Sequence, residues 1–198
     1  MKGIYTRTQS ILLAKVAEMS QDTKAAVENG MVTVEDGLYF KRADISGKSN
    51  MFNVLKNDDS VLEGICNISK QKIEQGKNLA IDRISVMIAT TTTSGATAGT
   101  VKYGKVLDSN DPAVTNAELE IFSKQVKIFS APLSQFTQEI AGGHGLGTNI
   151  NLSAPKLVTD ADELQFRVKF PDGAVVDTTS SAKTFIEVLI AGAMISND

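Results

Sequence analysis

The hydrophobic residues of the N-terminal segment recur at intervals of three and four. Between Thr8 and Asn29 they form one stripe, with the stem of a lysine among them: Ile11, Leu12, Lys15, Val16, Met19, Ala26 and Val27. This period is typical of an amphipathic helix with one apolar face, and Gly30 stands where helices commonly end. The pattern therefore predicts a helical N-terminal segment that ends at Gly30.

The residues that follow predict a short hairpin and then two short helices. Residues 32–40 carry apolar residues on both sides of an acidic turn that ends at Gly37, as in a β-hairpin. Residues 52–55 favour one short helix. Ser60 and Glu63 have the spacing of a capping box, which predicts a second helix that runs to about residue 75.

Beyond Lys77 the hydrophobic period changes to two. Ile84, Val86 and Ile88 alternate with the intervening positions, which indicates a strand with one face turned inward. The residues from 90 to 100 are small and polar and predict a surface loop. Further strands are predicted at 101–106, 119–121, 126–128, 149–152, 156–158, 164–170 and 184–195. About seven or eight short strands with turns between them predict a mainly β fold, an antiparallel sandwich or barrel.

The change of period near Lys77 also predicts how the chain is organised. Residues 1–77 are expected to form a helical N-terminal arm with a short hairpin, and residues 78–198 a β-sandwich. A single helix of this length is marginal in water, so its stripe needs a surface to cover it. We expect a neighbouring subunit to provide that surface. The candidate assembly residues are therefore Ile11, Leu12, Val16 and Met19.

Composition narrows the classes of partner. The 198 residues carry a formal net charge of −3, which gives no general attraction to nucleic acid or to an anionic membrane. Arg7 interrupts the start of the chain, so no secretory leader is predicted. The most apolar stretch, Phe185 to Ile195, is too short to cross a bilayer as a helix and contains Glu187. The sequence therefore predicts no membrane anchor.

Residues that could support catalysis or metal binding are few. His144, the single histidine, lies in a glycine-rich run that lacks the ending of a phosphate-binding loop and gives a catalytic base no fixed position. Cys66, the single cysteine, sits among apolar residues as in an ordinary core. Asp160, Asp162 and Glu163 form an acidic turn without the spacing of a calcium loop. We therefore expect no enzyme activity, no cofactor, no metal and no small-molecule substrate.

The basic and aromatic residues do not form a nucleic-acid-binding pattern. Tryptophan is absent, and Lys41-Arg42 is the only adjacent basic pair. A stacking surface with interleaved positive charge is not visible in the sequence. The composition leaves room only for a weak electrostatic contact between nucleic acid and the N-terminal segment.

The β part resembles the jelly-roll coat domains of bacteriophages and other viruses. Four stretches carry the resemblance: Leu79 to Ala89 (LAIDRISVMIA), Glu118 to Leu133 (ELEIFSKQVKIFSAPL), Asp162 to Pro171 (DELQFRVKFP) and Thr184 to Ala193 (TFIEVLIAGA). The resemblance implies a single jelly roll of eight strands in two sheets, in which an N-terminal arm reaches a neighbour. It also implies a place in the virion, after synthesis in the host cytoplasm. The arm is not strongly basic, and the chain is too short for two tandem jelly rolls.

Two hypotheses of function follow from these observations. The first is a capsid or minor virion structural protein that assembles with copies of itself and with other virion proteins. The alternative is a β-sandwich module that binds carbohydrate or a surface through the threonine-rich and glycine-rich loops. Carbohydrate sites favour exposed aromatic residues, and neither loop contains one.

Overall fold

The computed structural model describes residues 7–137, 149–160, 162–178 and 182–196. The helices are α1 (Arg7–Ala14), α2 (Gln21–Glu28) and α3 (Pro112–Thr115), with short 3₁₀ turns at Val16–Glu18, Val106–Asp108 and Leu133–Thr137. The strands are β1 (Thr33–Asp44), β2 (Met51–Asn53), β3 (Lys77–Thr91), β4 (Glu118–Ser123), β5 (Val126–Pro132), β6 (Asn149–Val158), β7 (Leu164–Lys169) and β8 (Lys183–Ser196).

The strands form two antiparallel sheets of four. The first sheet has the order β1-β8-β3-β6, and the second has the order β2-β7-β4-β5. Strands 1 and 8, 2 and 7, 3 and 6, and 4 and 5 are hydrogen-bonded neighbours, while β8–β3 and β4–β7 contacts join these pairs into sheets. The predicted mainly β class with antiparallel sheets is confirmed.

One core lies between the two sheets. Ile84, Val86 and Ile88 of β3 are buried in it, as their alternation predicts, and Ile121 and Phe166 reach it from the second sheet. The two faces of each strand therefore have different surroundings, because successive side chains point to opposite sides of a sheet. The strands predicted at 119–121 and 126–128 are also confirmed, and they pair as the β4–β5 hairpin with its turn at Lys124 and Gln125.

β8 is buried on both of its faces. Its inner side chains join the main core, and its outer ones are covered by the N-terminal helices at one end and by residues 96–103 at the other. A central strand covered on both faces has a nearly continuous apolar sequence. This position explains the apolar character of Phe185 to Ile195.

The expected separate arm of residues 1–77 is corrected, because within the described part of this range only α1, the following 3₁₀ turn and α2 precede the first strand. β1 pairs with β8 over its whole length, and β2 belongs to the second sheet. Leu55, Cys66 and Ile68 are buried in the same core as β3 and β7. Residues 33–77 thus share sheets and core with the rest of the described chain.

The predicted hairpin at 32–40 is wrong, because β1 runs straight through it. Gly37 is a strand residue that faces Gly192 across the β1–β8 pair. A Cβ atom at this position would lie 2.6 Å from Leu79 Cδ1 and 2.9 Å from Met194 Cβ. The glycine is therefore required by the close packing beneath β1, and not by a turn.

The predicted helices at 52–55 and 60–75 are also wrong. Residues 51–53 form β2, and residues 59–73 form turns and isolated bridges. Gly64, Lys70 and Gln71 have positive φ angles of 70°, 49° and 61°, which an α-helix does not accommodate. The predicted strand at 101–106 is likewise an irregular segment, which pairs with β3 only through Gly104 and Ile88.

Candidate association surface

The N-terminal segment is three short helical pieces in place of the single helix that its stripe predicts. The Ser20 hydroxyl accepts a hydrogen bond from the Thr23 backbone N–H at 3.3 Å and thereby begins α2. Gly30, with a φ angle of 69°, follows the end of α2, and the Met31 N–H donates to the Ala26 carbonyl at 2.8 Å. The predicted end at Gly30 is therefore confirmed.

The stripe of this segment packs on the outer face of its own first sheet. Leu12 and Met19 are buried against three residues with which they form a small second core: Ala80, Ala193 and Ile195. Val16 is half-buried at the same place, and Ile11 is half-buried. Leu12, Val16 and Met19 are therefore covered at least in part by the chain's own first sheet, where two alanines leave room for them, while a contact of Ile11 or of the segment with a neighbouring subunit stays a prediction.

Other apolar side chains are left in contact with solvent. In the described part of the chain, the large apolar residues with exposed side chains are Met31, Leu38, Met51, Val61, Leu62, Leu107, Val126 and Val175. Leu38 lies in β1, and Val61 and Leu62 lie in the adjoining turn. The side chains of Val61 and Leu62 are 62% and 58% exposed. We refer to Leu38, Val61 and Leu62 as the β1-side surface.

The turn that carries Val61 and Leu62 is fixed along the free edge of β1. The Arg42 N–H donates to the Ile65 carbonyl at 2.8 Å, and the Leu62 N–H donates to the Cys66 carbonyl at 2.8 Å. Asn67 Nδ2 donates to the Leu38 carbonyl at 2.8 Å. The edge of β1 between Leu38 and Arg42 is thereby closed to strand addition, while the apolar side chains beside it remain exposed.

An ion pair holds the same edge from the outer face. The Arg42 guanidinium donates to the Glu187 carboxylate at 2.5 Å and to the Gly64 carbonyl at 2.8 Å, and it lies 4.9 Å from the centre of the Tyr103 ring. Glu187 is buried, so loss of Arg42 would leave its charge without a partner. This cluster joins β1, β8 and two loops.

A shallow groove crosses the outer face of the first sheet beside the β1-side surface. It has a volume of about 470 Å³, and small residues of β8, Ala191 and Gly192, are part of its lining. Leu38 lies on the β1 side, and Arg83 and Asn151 lie on the β3 and β6 side. The groove and the β1-side surface together form an exposed region with apolar and charged parts.

The residues predicted as possible chemical centres have structural roles where the structure describes them. Asp162 is buried and accepts hydrogen bonds from Ser123 Oγ, Thr159 Oγ1 and the Thr159 N–H. Lys124 Nζ lies 2.7 Å from its Oδ1 atom. Asp160 instead accepts a hydrogen bond from the Gly76 N–H at 2.8 Å. Within the described ranges no group of three acidic, histidine or cysteine side chains is arranged to hold a metal.

Cys66 lies in the core, as its apolar neighbours predict. Its thiol donates to the Ile68 carbonyl at 3.1 Å, and burial raises the pKa of the thiol despite that hydrogen bond. A thiol with a raised pKa is a poor nucleophile at neutral pH. His144 and the glycine run around it lie outside the described residues.

The threonine-rich loop partly covers the outer face of the first sheet. Ala96 is buried against Ala89 and Phe185, and the Tyr103 hydroxyl donates to the Ala98 carbonyl at 2.9 Å. The loop borders an open cavity of about 540 Å³ whose lining includes threonines and a serine but no aromatic residue. The loop is therefore partly structural, and its cavity lacks the aromatic face typical of carbohydrate sites.

Comparison with known proteins does not assign this chain to a family. No protein-family model matches the chain, and a search of curated proteins finds no match to it. In the portion of the chain that the structure describes, no helix combines the length and the apolar character needed to cross a membrane.

Proposed function

We propose that this chain is a non-catalytic structural subunit, built as a single jelly roll, that associates with copies of itself. The setting we propose is the virion of a bacteriophage or another virus, as a capsid or minor virion protein beside other shell proteins. The pairing of the strands carries the proposal.

The order of the strands is the feature that supports a jelly roll. Pairing of 1 with 8, 2 with 7, 3 with 6 and 4 with 5 is what results when one long antiparallel hairpin is wrapped into two facing sheets. The observed orders, β1-β8-β3-β6 and β2-β7-β4-β5, are those expected from this wrapping. Jelly rolls serve as viral shell domains, as lectins and as cupin enzymes, so the sites must distinguish these functions.

The residues favour the shell function over the other two. Cupin metal sites are built from several histidines, and this chain has one. Lectin sites favour exposed aromatic side chains, whereas the large exposed apolar residues of the described chain are methionine, leucine and valine. Exposed aliphatic residues beside a rigid edge are instead suited to contacts between proteins.

The alternative, a carbohydrate- or surface-binding module, has one observation in its favour. The threonine-rich loop forms a cavity with a lining that includes Thr90, Thr91, Thr93 and Ser94. Hydroxyl groups can hydrogen-bond sugars, but an apolar stacking face is missing from this cavity. Binding of a soluble glycan at millimolar concentration, with loss on Thr93→Val, would support this alternative.

Self-association is tested by light scattering on wild-type protein and on a Leu38→Glu/Leu62→Glu variant. Because both side chains are exposed, the substitutions should leave the fold intact while they place charge on the β1-side surface. We expect concentration-dependent association of the wild type and loss of that association in the variant.

Val126→Glu is the matched control. Val126 is an exposed apolar residue of β5, which is an edge strand of the second sheet, whereas Leu38 belongs to the first sheet. We expect this control to associate as the wild type does. Equal association of the double variant and the wild type would remove the β1-side surface from the proposal. A wild type that stays monomeric at high concentration would contradict self-association itself.

A further inference from the structure

A small basic pocket surrounds the one aromatic residue of β2. Phe52 is half-buried in it, and its lining includes the cationic residues Lys41, Arg42, Lys48 and Lys56. The pocket has a volume of about 240 Å³. Four cationic residues line this pocket, although the chain as a whole has a net charge of −3.

Two of the four cations are already neutralised. Lys41 Nζ lies 2.5 Å from Asp59 Oδ1, and Arg42 Nε lies 2.5 Å from Glu187 Oε2. Asp44, the other carboxylate of the pocket, accepts hydrogen bonds from the Ser46 N–H and hydroxyl. These contacts hold Lys41, Arg42 and Asp44 in place. The two other cations of the pocket are Lys48 and Lys56.

Lys48 and Lys56 are exposed, and neither forms an ion pair within the described ranges. Their Nζ atoms lie 5.6 Å and 5.9 Å from the centre of the Phe52 ring. Two exposed ammonium groups therefore lie close to one aromatic ring. An aromatic ring that stacks a base, flanked by lysines that contact phosphate, is the combination used to bind single strands.

We propose that this pocket binds a nucleotide unit of single-stranded nucleic acid, with the base stacked on Phe52 and phosphate oxygens held by Lys48 and Lys56. A base can displace an ammonium group from the ring, since the lysine stems are flexible and the ammonium then moves to the phosphate. Duplex bases are stacked on one another and cannot reach the ring without unpairing. The site is independent of self-association, because its residues belong to one chain.

The test is fluorescence anisotropy of a labelled oligothymidylate of about ten nucleotides, measured at several salt concentrations. For a Lys48→Ala/Lys56→Ala variant we expect binding at least tenfold weaker and a salt slope smaller by about one to two. For Phe52→Leu we expect binding about tenfold weaker with an unchanged salt slope, since stacking and not charge is lost. Phe52→Tyr, which keeps the aromatic face, should retain the affinity.

Lys156→Ala is the matched control, because Lys156 is an exposed lysine of β6, an edge strand of the other sheet. It should bind as the wild type does, and the thermal melting temperature of each variant shows that it is folded. The pocket is refuted if the wild type does not bind at low salt, or if Lys156→Ala weakens binding as much as the double lysine variant.

Two further arms identify the source of the nucleotide. Adenosine monophosphate and a duplex of the same length are used as competitors. We expect single-stranded oligonucleotide to compete well and both other ligands to compete weakly. Equal competition by the duplex would overturn base stacking, and tight binding of the monophosphate alone would overturn the assignment to nucleic acid.

Discussion

Replacement of Asp162 by alanine is expected to destabilise the protein strongly. Its carboxylate joins the loop before β7 to the end of β4, where Ser123 donates to it at 3.1 Å. Thr159 donates to it twice, from Oγ1 at 2.6 Å and from its N–H at 3.0 Å. All three donors belong to buried residues, so water cannot readily replace the lost acceptor.

The expected magnitude follows from these contacts. A hydrogen bond to a charged group contributes about 1.5 to 3 kcal/mol, and contributions within one network are not additive. The contact with Lys124 adds little, because that lysine is exposed and screened by solvent. We therefore expect Asp162→Ala to lower the free energy of unfolding by about 3 kcal/mol, which corresponds to a melting temperature lower by roughly 10 °C.

The measurement is urea unfolding at pH 7, with Asp172→Ala as the control. Asp172 is an exposed acidic residue of the following loop, and its replacement should change the free energy of unfolding by less than about 0.5 kcal/mol. An Asp162→Ala protein as stable as the control would refute the reasoning, because it would show that the buried donors do not depend on this carboxylate.

Asp162→Asn adds a test of charge. Burial raises the pKa of the Asp162 carboxyl, but hydrogen bonds from Lys124 and Thr159 outweigh burial and lower the pKa below its ordinary value of 3.8. A carboxyl with a lowered folded-state pKa contributes stability above its unfolded pKa and loses it as the pH falls further. The stability difference between wild type and Asp162→Asn should therefore be constant above about pH 5 and shrink below about pH 4.

Four other outcomes are expected. Val86→Asp should cost roughly 4 kcal/mol or more, because it buries a carboxylate in the core, and a fully folded soluble variant in circular dichroism would contradict the assignment. Gln125→Gly should raise the free energy of unfolding by about 0.5 kcal/mol in urea, since its φ angle is 63°, and a loss of stability would count against this turn. The buried Cys66 thiol should react with a disulfide reagent only after unfolding, and rapid reaction of the native protein would contradict its burial. EDTA should leave the melting temperature unchanged, whereas a drop of many degrees would reveal a metal site.

The sequence patterns predicted the strands that have one buried face. Ile84, Val86 and Ile88 alternate because β3 has the core on one side, and the β4–β5 hairpin has a clear turn between alternating runs. In such strands the burial of each residue is imposed locally by the pleat. The period of two is therefore visible without knowledge of the neighbouring strands.

The segments that failed depend on contacts distant in sequence. Gly37 resembled a turn residue, but it is needed because Leu79 and Met194 pack beneath it. Residues 60–75 had a helix-like spacing of apolar residues, yet Cys66 and Ile68 reach the core from turns with positive φ angles. Neither requirement is encoded within the segment itself, so local propensity gave the wrong element.

The candidate sites could be predicted only in part for the same reason. The stripe with Leu12 and Met19 was correctly recognised as an apolar surface that needs a cover, but the sequence does not reveal that Ala80 and Ala193 provide it. The basic pocket was missed because Lys48 and Lys56 lie on either side of Phe52 in sequence and adjoin neither each other nor the Lys41-Arg42 pair. Only the conformation of the chain around β2 brings both ammonium groups near one ring.

The most direct test of the proposed function is electron microscopy of the purified protein, combined with light scattering over a wide concentration range. A self-associating shell subunit should form large particles of regular size and shape, alone or when other virion proteins are added. A protein that stays strictly monomeric at high concentration, and forms no regular particles under any of these conditions, would contradict the account.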